Sequence, residues 1–191
     1  MPTTQNELGL SLWLTPPDSY KPYAALSRLT STTFPASPNF PHSPGFQPHI
    51  TLTSSIPPPK PNESILPAAL DTQLPPEIQF GEIAHGGAYF KFIFLRIKKT
   101  ESLLALAKWA RERFVPGQSV FDEGIYDPHI SLVYSGTEAT QKRVEYVALQ
   151  TSMAIGDSRG WTGGRVMLVD TRAPNVGDWK VIEEYSFPES S

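Results

Sequence analysis

One seven-residue pattern occurs twice. Phe46-Gln47-Pro48-His49-Ile50-Thr51-Leu52 recurs as Tyr126-Asp127-Pro128-His129-Ile130-Ser131-Leu132. Each copy has an aromatic residue two before the proline, then Pro-His-Ile, a hydroxyl residue and Leu. From ordinary residue frequencies, a chance second match is on the order of one in ten thousand. The chain is 191 residues long, which suits one compact domain or two small lobes. The repeat selects a duplicated plan, with each half contributing one copy. In a strand, residues i and i+2 share a face. His49 and Thr51 therefore point one way, and Ile50 and Leu52 point into the core. His129 and Ser131 do the same in the second copy.

If the halves face each other, the space between them holds two imidazoles and two hydroxyls. Imidazole exchanges a proton near neutral pH. A pair on opposite sides of a phosphorus can serve as general base and general acid. Hydroxyls can donate to non-bridging oxygens as charge builds there. A single Pro-His-Ile-Thr-Leu is an ordinary strand start, but two at corresponding positions point to chemistry. As a metal site the pattern is poor: it offers two nitrogen ligands, with Asp127 beside only one of them, where zinc takes three or four. No metal and no cofactor are expected.

The rest of the chain mixes strands and helices. Leu8 to Leu14 alternates as a strand, with Leu8, Leu10, Leu12 and Leu14 on one face and Ser11 and Trp13 on the other. Asp18 is placed to cap a helix over about 20–30. The Pro-, Ser- and Gly-rich stretch 34–48 is a long loop. Strands are expected at 49–53, 78–84, 89–97, 129–134, 164–170 and 179–187, with His85-Gly86-Gly87 as a hairpin turn. Pro57 to Pro61 reads as an extended connector. Helices are expected at about 64–70, 101–114 and 138–150. Without strict βαβ alternation, the class is α+β with antiparallel sheets. The expected form is two-lobed and pseudo-symmetric, a single bilobal domain over 1–191 with the sheets facing a central cleft.

Composition narrows the partners. Sixteen Lys and Arg against nineteen Asp and Glu leave a net charge of −3. A protein that grips long nucleic acid needs a basic surface. A small phosphate substrate needs only a local pocket. The absence of cysteine excludes disulfides, thiolate metal sites and a thiol nucleophile. No basic residue precedes the first apolar stretch, which argues against a signal peptide, and no apolar run approaches membrane-spanning length. An intracellular, cytoplasmic, monomeric protein is expected, without membrane or long nucleic-acid partners.

With its two His-x-Thr/Ser motifs, the sequence resembles the 2H phosphoesterase superfamily, and within it the small cyclic phosphodiesterases of fungi and plants. Leu12-Trp13-Leu14, the run from His129 to Tyr134, and the closing segments Leu168-Val169-Asp170-Thr171 and Asp178-Trp179-Lys180-Val181 are similar to that family. Plant members carry several cysteines, so the resemblance favours a fungal type. It implies that His49 and His129 are catalytic, that Thr51 and Ser131 bind phosphate, and that Tyr134 hydrogen-bonds phosphate or water. Trp13 is open to two readings: a cleft residue that stacks on a base, or a half-buried packing residue. The implied substrates are 2′,3′-cyclic nucleotides, opened to 2′-phosphates, and ADP-ribose 1″,2″-cyclic phosphate, in the context of tRNA splicing. An RNA-end-processing enzyme (2′-5′ RNA ligase-like or exonuclease) and a non-catalytic nucleotide-binding module are the alternatives. Lys91, Arg165 and Arg172 are possible phosphate contacts but read as ordinary surface charges. Core packing is expected for most of Tyr89, Phe90 and Phe92, with one of them open to reaching the base.

Overall fold

The computed structural model describes residues 9–60, 64–115, 117 and 120–188. Leu8, at the start of the first expected strand, and Pro61, at the end of the proline connector, lie outside the described residues. The alternation in the first strand is carried through as expected. In β1 (Leu10–Thr15), Leu10, Leu12 and Leu14 enter the main core. Trp13 emerges on the opposite face and packs with Met167, Val169 and Trp179. That one strand defines two sides of the molecule: a core side and a cleft side.

Seven further strands follow: β2 (Ile50–Ile56), β3 (Glu77–Ala88), β4 (Lys91–Ile97), β5 (His129–Val133), β6 (Gly160–Thr162), β7 (Arg165–Asp170) and β8 (Lys180–Ser186). Where two facing sheets are expected, the strands form one eight-stranded sheet in the order β6-β3-β4-β5-β2-β1-β7-β8. All its pairs are antiparallel, and the class is α+β. The two motif strands lie side by side at its centre. They meet at Ile50 opposite Ile130, the same position of the repeat in each copy.

Helices α1 (Pro22–Arg28), α3 (Glu101–Phe114) and α4 (Gln141–Ile155), with the single turn α2 (Pro67–Leu70), accompany the sheet. Leu26 of α1 and Leu70 of α2 join Leu103, Leu106 and Ala110 of α3 and the strand leucines in one core cluster. Thr100 caps α3 by accepting from the Leu103 amide at 3.4 Å, which satisfies one of the orphan donors of its first turn. Among the described residues, no helix is long and apolar enough to cross a membrane.

The first helix begins later than expected. Asp18 does not cap it; Pro22 occupies its first turn, where proline's missing N–H removes no helical bond. It then widens into a π-helical turn, Leu29–Thr33, with Phe34 donating to the Leu29 carbonyl five residues back.

The hairpin also differs. β3 runs through His85-Gly86-Gly87, and the turn is Tyr89-Phe90. The glycines mark a bulge, with the register shifting between His85 and Ala88. A Cβ on Gly86 would lie 2.7 Å from the Lys91 carbonyl. These glycines therefore allow close approach of two strands rather than a reversal. The turn is displaced onto two aromatic residues, which brings Phe90 and Lys91 to the cleft.

The Pro-rich stretch is anchored rather than free. Phe34 and Phe40 are fully buried, and both rings contact Tyr146 of α4. The Thr30 hydroxyl donates to the Phe46 carbonyl at 2.8 Å. The three-residue strand β6, pairing with β3, is not expected from the sequence; its Gly160-Trp161-Thr162 is too short to show alternation.

Candidate active site

The two histidines are held in the same way. His49 Nδ1 lies 2.7 Å from the Gln47 carbonyl, and His129 Nδ1 lies 2.8 Å from the Asp127 carbonyl. A carbonyl oxygen only accepts, so Nδ1 carries the hydrogen in both rings. In the neutral ring the Nε2 lone pair is then left for chemistry. The intervening proline has a fixed φ, which helps to hold each i−2 carbonyl under its ring. The proline in the repeat thus has a physical use: it orients the imidazole that follows.

The ring surroundings differ. His49 is stacked on Trp13, with centroids 3.5 Å apart and planes 6° from parallel. His129 meets the Phe94 ring edge-on at 5.1 Å. Both histidines line one cleft of about 410 Å³, together with Thr51, Ser131, Tyr134 and Trp13. All six residues singled out from the sequence are therefore brought together. Trp13 lines the cleft, but part of its face is already covered by His49.

The aromatic residues that open each repeat copy cross over. Phe46 stacks on Tyr134, with centroids 3.8 Å apart. Tyr126 donates its hydroxyl to the Thr51 carbonyl at 3.1 Å. Each copy thus braces the strand carrying the other. The Ser131 hydroxyl donates its proton to the Phe90 carbonyl at 2.7 Å, tying the β3–β4 turn to the cleft. A hydroxyl has one proton to give, so Ser131 must release Phe90 to donate elsewhere.

Burial governs the ionisation of these groups. It pushes the His49 imidazole down to about 4; the Gln47 carbonyl opposes this, and the charge of His129 adds to it. Burial also lowers His129, with the Asp127 carbonyl opposing and the Lys91 ammonium adding. Both rings are thus held toward the neutral form in the empty cleft. The Trp13 face works against burial at His49, because an aromatic face favours a cation above it. Burial raises the Tyr134 phenol, so it remains a neutral hydrogen-bond donor.

Beside His129 sits a charged group that has no equivalent beside His49. Lys91 pairs with Asp127 Oδ2, and Arg96 Nη1 holds Asp127 Oδ1 at 2.9 Å. Burial pushes the Asp127 carboxyl up, but the Lys91 hydrogen bond and the two cationic charges outweigh it and hold it below its usual value. The position matching Asp127 in the first copy is Gln47, whose amide donates to the Tyr23 hydroxyl at 2.8 Å.

Three cleft residues carry more weight than the sequence suggested. Phe90 is 49% exposed and stands over the cleft with its ring 5.8 Å from Trp179. Its position is hidden by the glycines that imitate a turn. Trp179 belongs to the cleft because Trp13, Met167 and Val169 form a cluster on that face, a pairing invisible along the chain. Lys91 lines the cleft, whereas Arg165 pairs with Asp18 and Glu184, and Arg172 with Asp170. His42 and His85 are exposed, in the 34–48 loop and on β3. Among the described residues, no cluster of three or more His, Cys, Asp or Glu side chains could hold a metal ion.

An antiparallel α+β sheet with paired imidazoles and hydroxyls in one cleft is the framework of a hydrolytic enzyme. The chain belongs to the cyclic phosphodiesterase-like protein family, whose model matches residues 8–187. It is 31% identical over 193 aligned positions to a Phaeosphaeria nodorum protein, covering 92% of this chain and 97% of the relative. It is 29% identical to a Yarrowia lipolytica protein, covering 92% and 98%. A Neurospora crassa relative is also 29% identical, covering 91% and 97%. All three relatives are named 2′,3′-cyclic-nucleotide 3′-phosphodiesterase.

Proposed function

We propose that this protein hydrolyses 2′,3′-cyclic nucleotides to 2′-phosphates without a metal, by paired general acid–base catalysis between His129 and His49. The reading rests above all on the shared backbone tether of the two rings, which leaves Nε2 of each free in one cleft. In the forward step, His129 Nε2 takes a proton from water as the water oxygen bonds to phosphorus. The bond from phosphorus to the ribose 3′ oxygen breaks, and His49 gives that oxygen a proton. The nearby Lys91 charge disfavours protonated His129, which suits a base. The Trp13 face favours an imidazolium at His49 once phosphate charge lies beside it. Thr51 and Ser131 donate to the non-bridging oxygens, and Tyr134 to phosphate or water.

In this reading the chain is one bilobal, monomeric domain. The four strands on either side of the Ile50–Ile130 contact form its two pseudo-symmetric lobes, each bringing one motif. The same chemistry opens ADP-ribose 1″,2″-cyclic phosphate to ADP-ribose 1″-phosphate, the product pairing expected in tRNA splicing.

Hydrolysis of a 2′,3′-cyclic nucleotide in excess chelator, with products identified by phosphorus NMR, tests this directly. A 2′-phosphate is expected. A 3′-phosphate would reverse the choice of leaving oxygen. Absence of turnover on both cyclic substrates, with nucleotide affinity retained, would leave a binding module.

The pH dependence adds a second test. kcat/KM reports the free enzyme, in which burial lowers both histidines. The kcat/KM maximum is therefore expected on the acid side of the ordinary imidazole range rather than at neutrality. Bound phosphate stabilises an adjacent imidazolium, so the kcat maximum is expected at higher pH than that of kcat/KM. Profiles over about pH 4 to 9 check this. A kcat/KM maximum above neutrality would contradict it.

A further inference from the structure

The cleft is asymmetric in charge. Among its described lining residues Lys91 is the only lysine or arginine, and it stands on the His129 side. Its partner Asp127 has two cations, one on each carboxylate oxygen. Arg96, the second cation, also donates Nε to Glu82 at 2.7 Å. If Lys91 leaves, Asp127 keeps Arg96 as a counter-ion, so no charge is stranded. Lys91 also has open space beside it: its side chain is 31% exposed, and it begins β4 directly after the Tyr89-Phe90 turn. Its ammonium lies 5.0 Å from the centre of the Phe94 ring, the same ring that meets His129 edge-on. The apolar floor limits solvent screening and strengthens a charge–charge contact above it.

We infer that Lys91 is a substrate-binding residue that shifts from Asp127 onto a non-bridging oxygen of the reacting phosphate. This rests on the phosphodiesterase reading for the identity of the phosphate, but not for the existence of an anion site. Asp127 is then the resting partner of Lys91, keeping the ammonium at the cleft wall until substrate arrives. A purely structural ion pair and an anion ligand make opposite predictions for the two partners. If the pair is structural, removing either side chain weakens the cleft alike. If Lys91 is a ligand that Asp127 restrains, removing Asp127 frees it.

The experiment is calorimetric binding of a nucleoside 2′-phosphate and of the parent nucleoside to wild type, Lys91→Met, Lys91→Arg and Asp127→Asn. Near-ultraviolet circular dichroism checks that each variant keeps its fold. Lys91→Met is expected to weaken the nucleotide about tenfold, as for the loss of one charge-assisted hydrogen bond, and to leave nucleoside affinity unchanged. Lys91→Arg is expected to restore most of the loss. Asp127→Asn is expected to bind the nucleotide at least as tightly as wild type. A loss under about threefold in Lys91→Met would overturn the assignment. So would equal weakening in Lys91→Met and Asp127→Asn, or a wild type that does not prefer the nucleotide to the nucleoside. Turnover separates the two readings. A wild type that binds nucleotide through Lys91 yet opens no cyclic phosphate sinks the hydrolase reading and leaves the anion site standing.

Discussion

The two copies of the repeat share a backbone and differ in surroundings. In both, the imidazole is tethered through Nδ1 to the carbonyl two residues back. In the first copy the ring lies flat on an indole, and the preceding polar residue is a neutral amide. In the second, the ring meets a phenyl edge beside a lysine, an arginine and a carboxylate. Duplicated geometry thus places two similarly tethered imidazoles in one cleft, and the side chains around them give the two rings different surroundings. Catalysis by an acid and a base needs both: matched placement, and different protonation at the moment of reaction.

The sharpest way to break this comparison is to remove each ring. His49→Ala and His129→Ala are each expected to lower kcat by about a hundredfold or more. The double variant is expected to lose much less than the product of the two effects, because the pair acts as a unit. Steady-state assays on a 2′,3′-cyclic nucleotide decide it. Near-full activity in either single variant would end the paired mechanism.

Burial at His49 makes a prediction about stability. Its folded-state pKa, about 4, lies below the unfolded value of about 6.5. The unfolded chain therefore binds the proton more readily. The stability at stake is intact above about pH 6.5 and is lost as pH falls toward 4, by about 3 kcal/mol. Urea denaturation of wild type and His49→Gln across that window is expected to show this additional acid loss only in wild type. Equal slopes would contradict the buried, neutral His49.

The hydroxyl pair sharpens the contrast. Thr51→Val and Ser131→Ala are each expected to lower kcat/KM by about a hundredfold if each hydroxyl stabilises the developing phosphate charge. Ser131→Ala also cuts the bond to the Phe90 carbonyl, so it alone is expected to raise amide exchange at the Tyr89-Phe90 turn. Hydrogen-exchange mass spectrometry on both variants measures this. The smallest effect is expected from Tyr126→Phe, which removes the hydrogen bond to the Thr51 carbonyl. A loss of about 1 kcal/mol in urea denaturation is expected, with little change in kcat.

Much of this was legible in the sequence because the informative patterns are local. Alternation of leucines in β1 set its core face, and the spacing of His and hydroxyl set what β2 and β5 would present together. The six candidate residues do share one cleft. Features depending on pairing between distant segments were not legible. Gly86-Gly87 has the composition of a turn, yet it serves a bulge required by the nearby Lys91 carbonyl. That displacement is what sets Phe90 and Lys91 at the cleft. Asp18 looks like a helix cap until Pro22 is seen to occupy the first turn. Trp179 could be placed beside Trp13 only once β1 and β7 were known to be neighbours. Nor could charge composition show that Lys91, unlike Arg165 and Arg172, turns toward the cleft.

The meeting of Ile50 and Ile130 at the middle of the sheet also bears on self-association. Split there, the sheet would leave β2 and β5 as open edges, each carrying apolar residues and unpaired backbone groups of the kind that recruit strands from other chains. Joined, they cover one another where Ile50 pairs with Ile130. The outer edges are of a different kind: β6 covers only Glu77 to Gln79 of β3, whose remaining outer run carries Glu82 and the bulge at Gly86-Gly87, and β8 carries Lys180, Glu183 and Glu184 beside the half-exposed Val181 and Ile182. Charges and a bulge on an edge both discourage strand addition. The Ile50–Ile130 contact thus also keeps the motif ends of both strands from pairing with another chain.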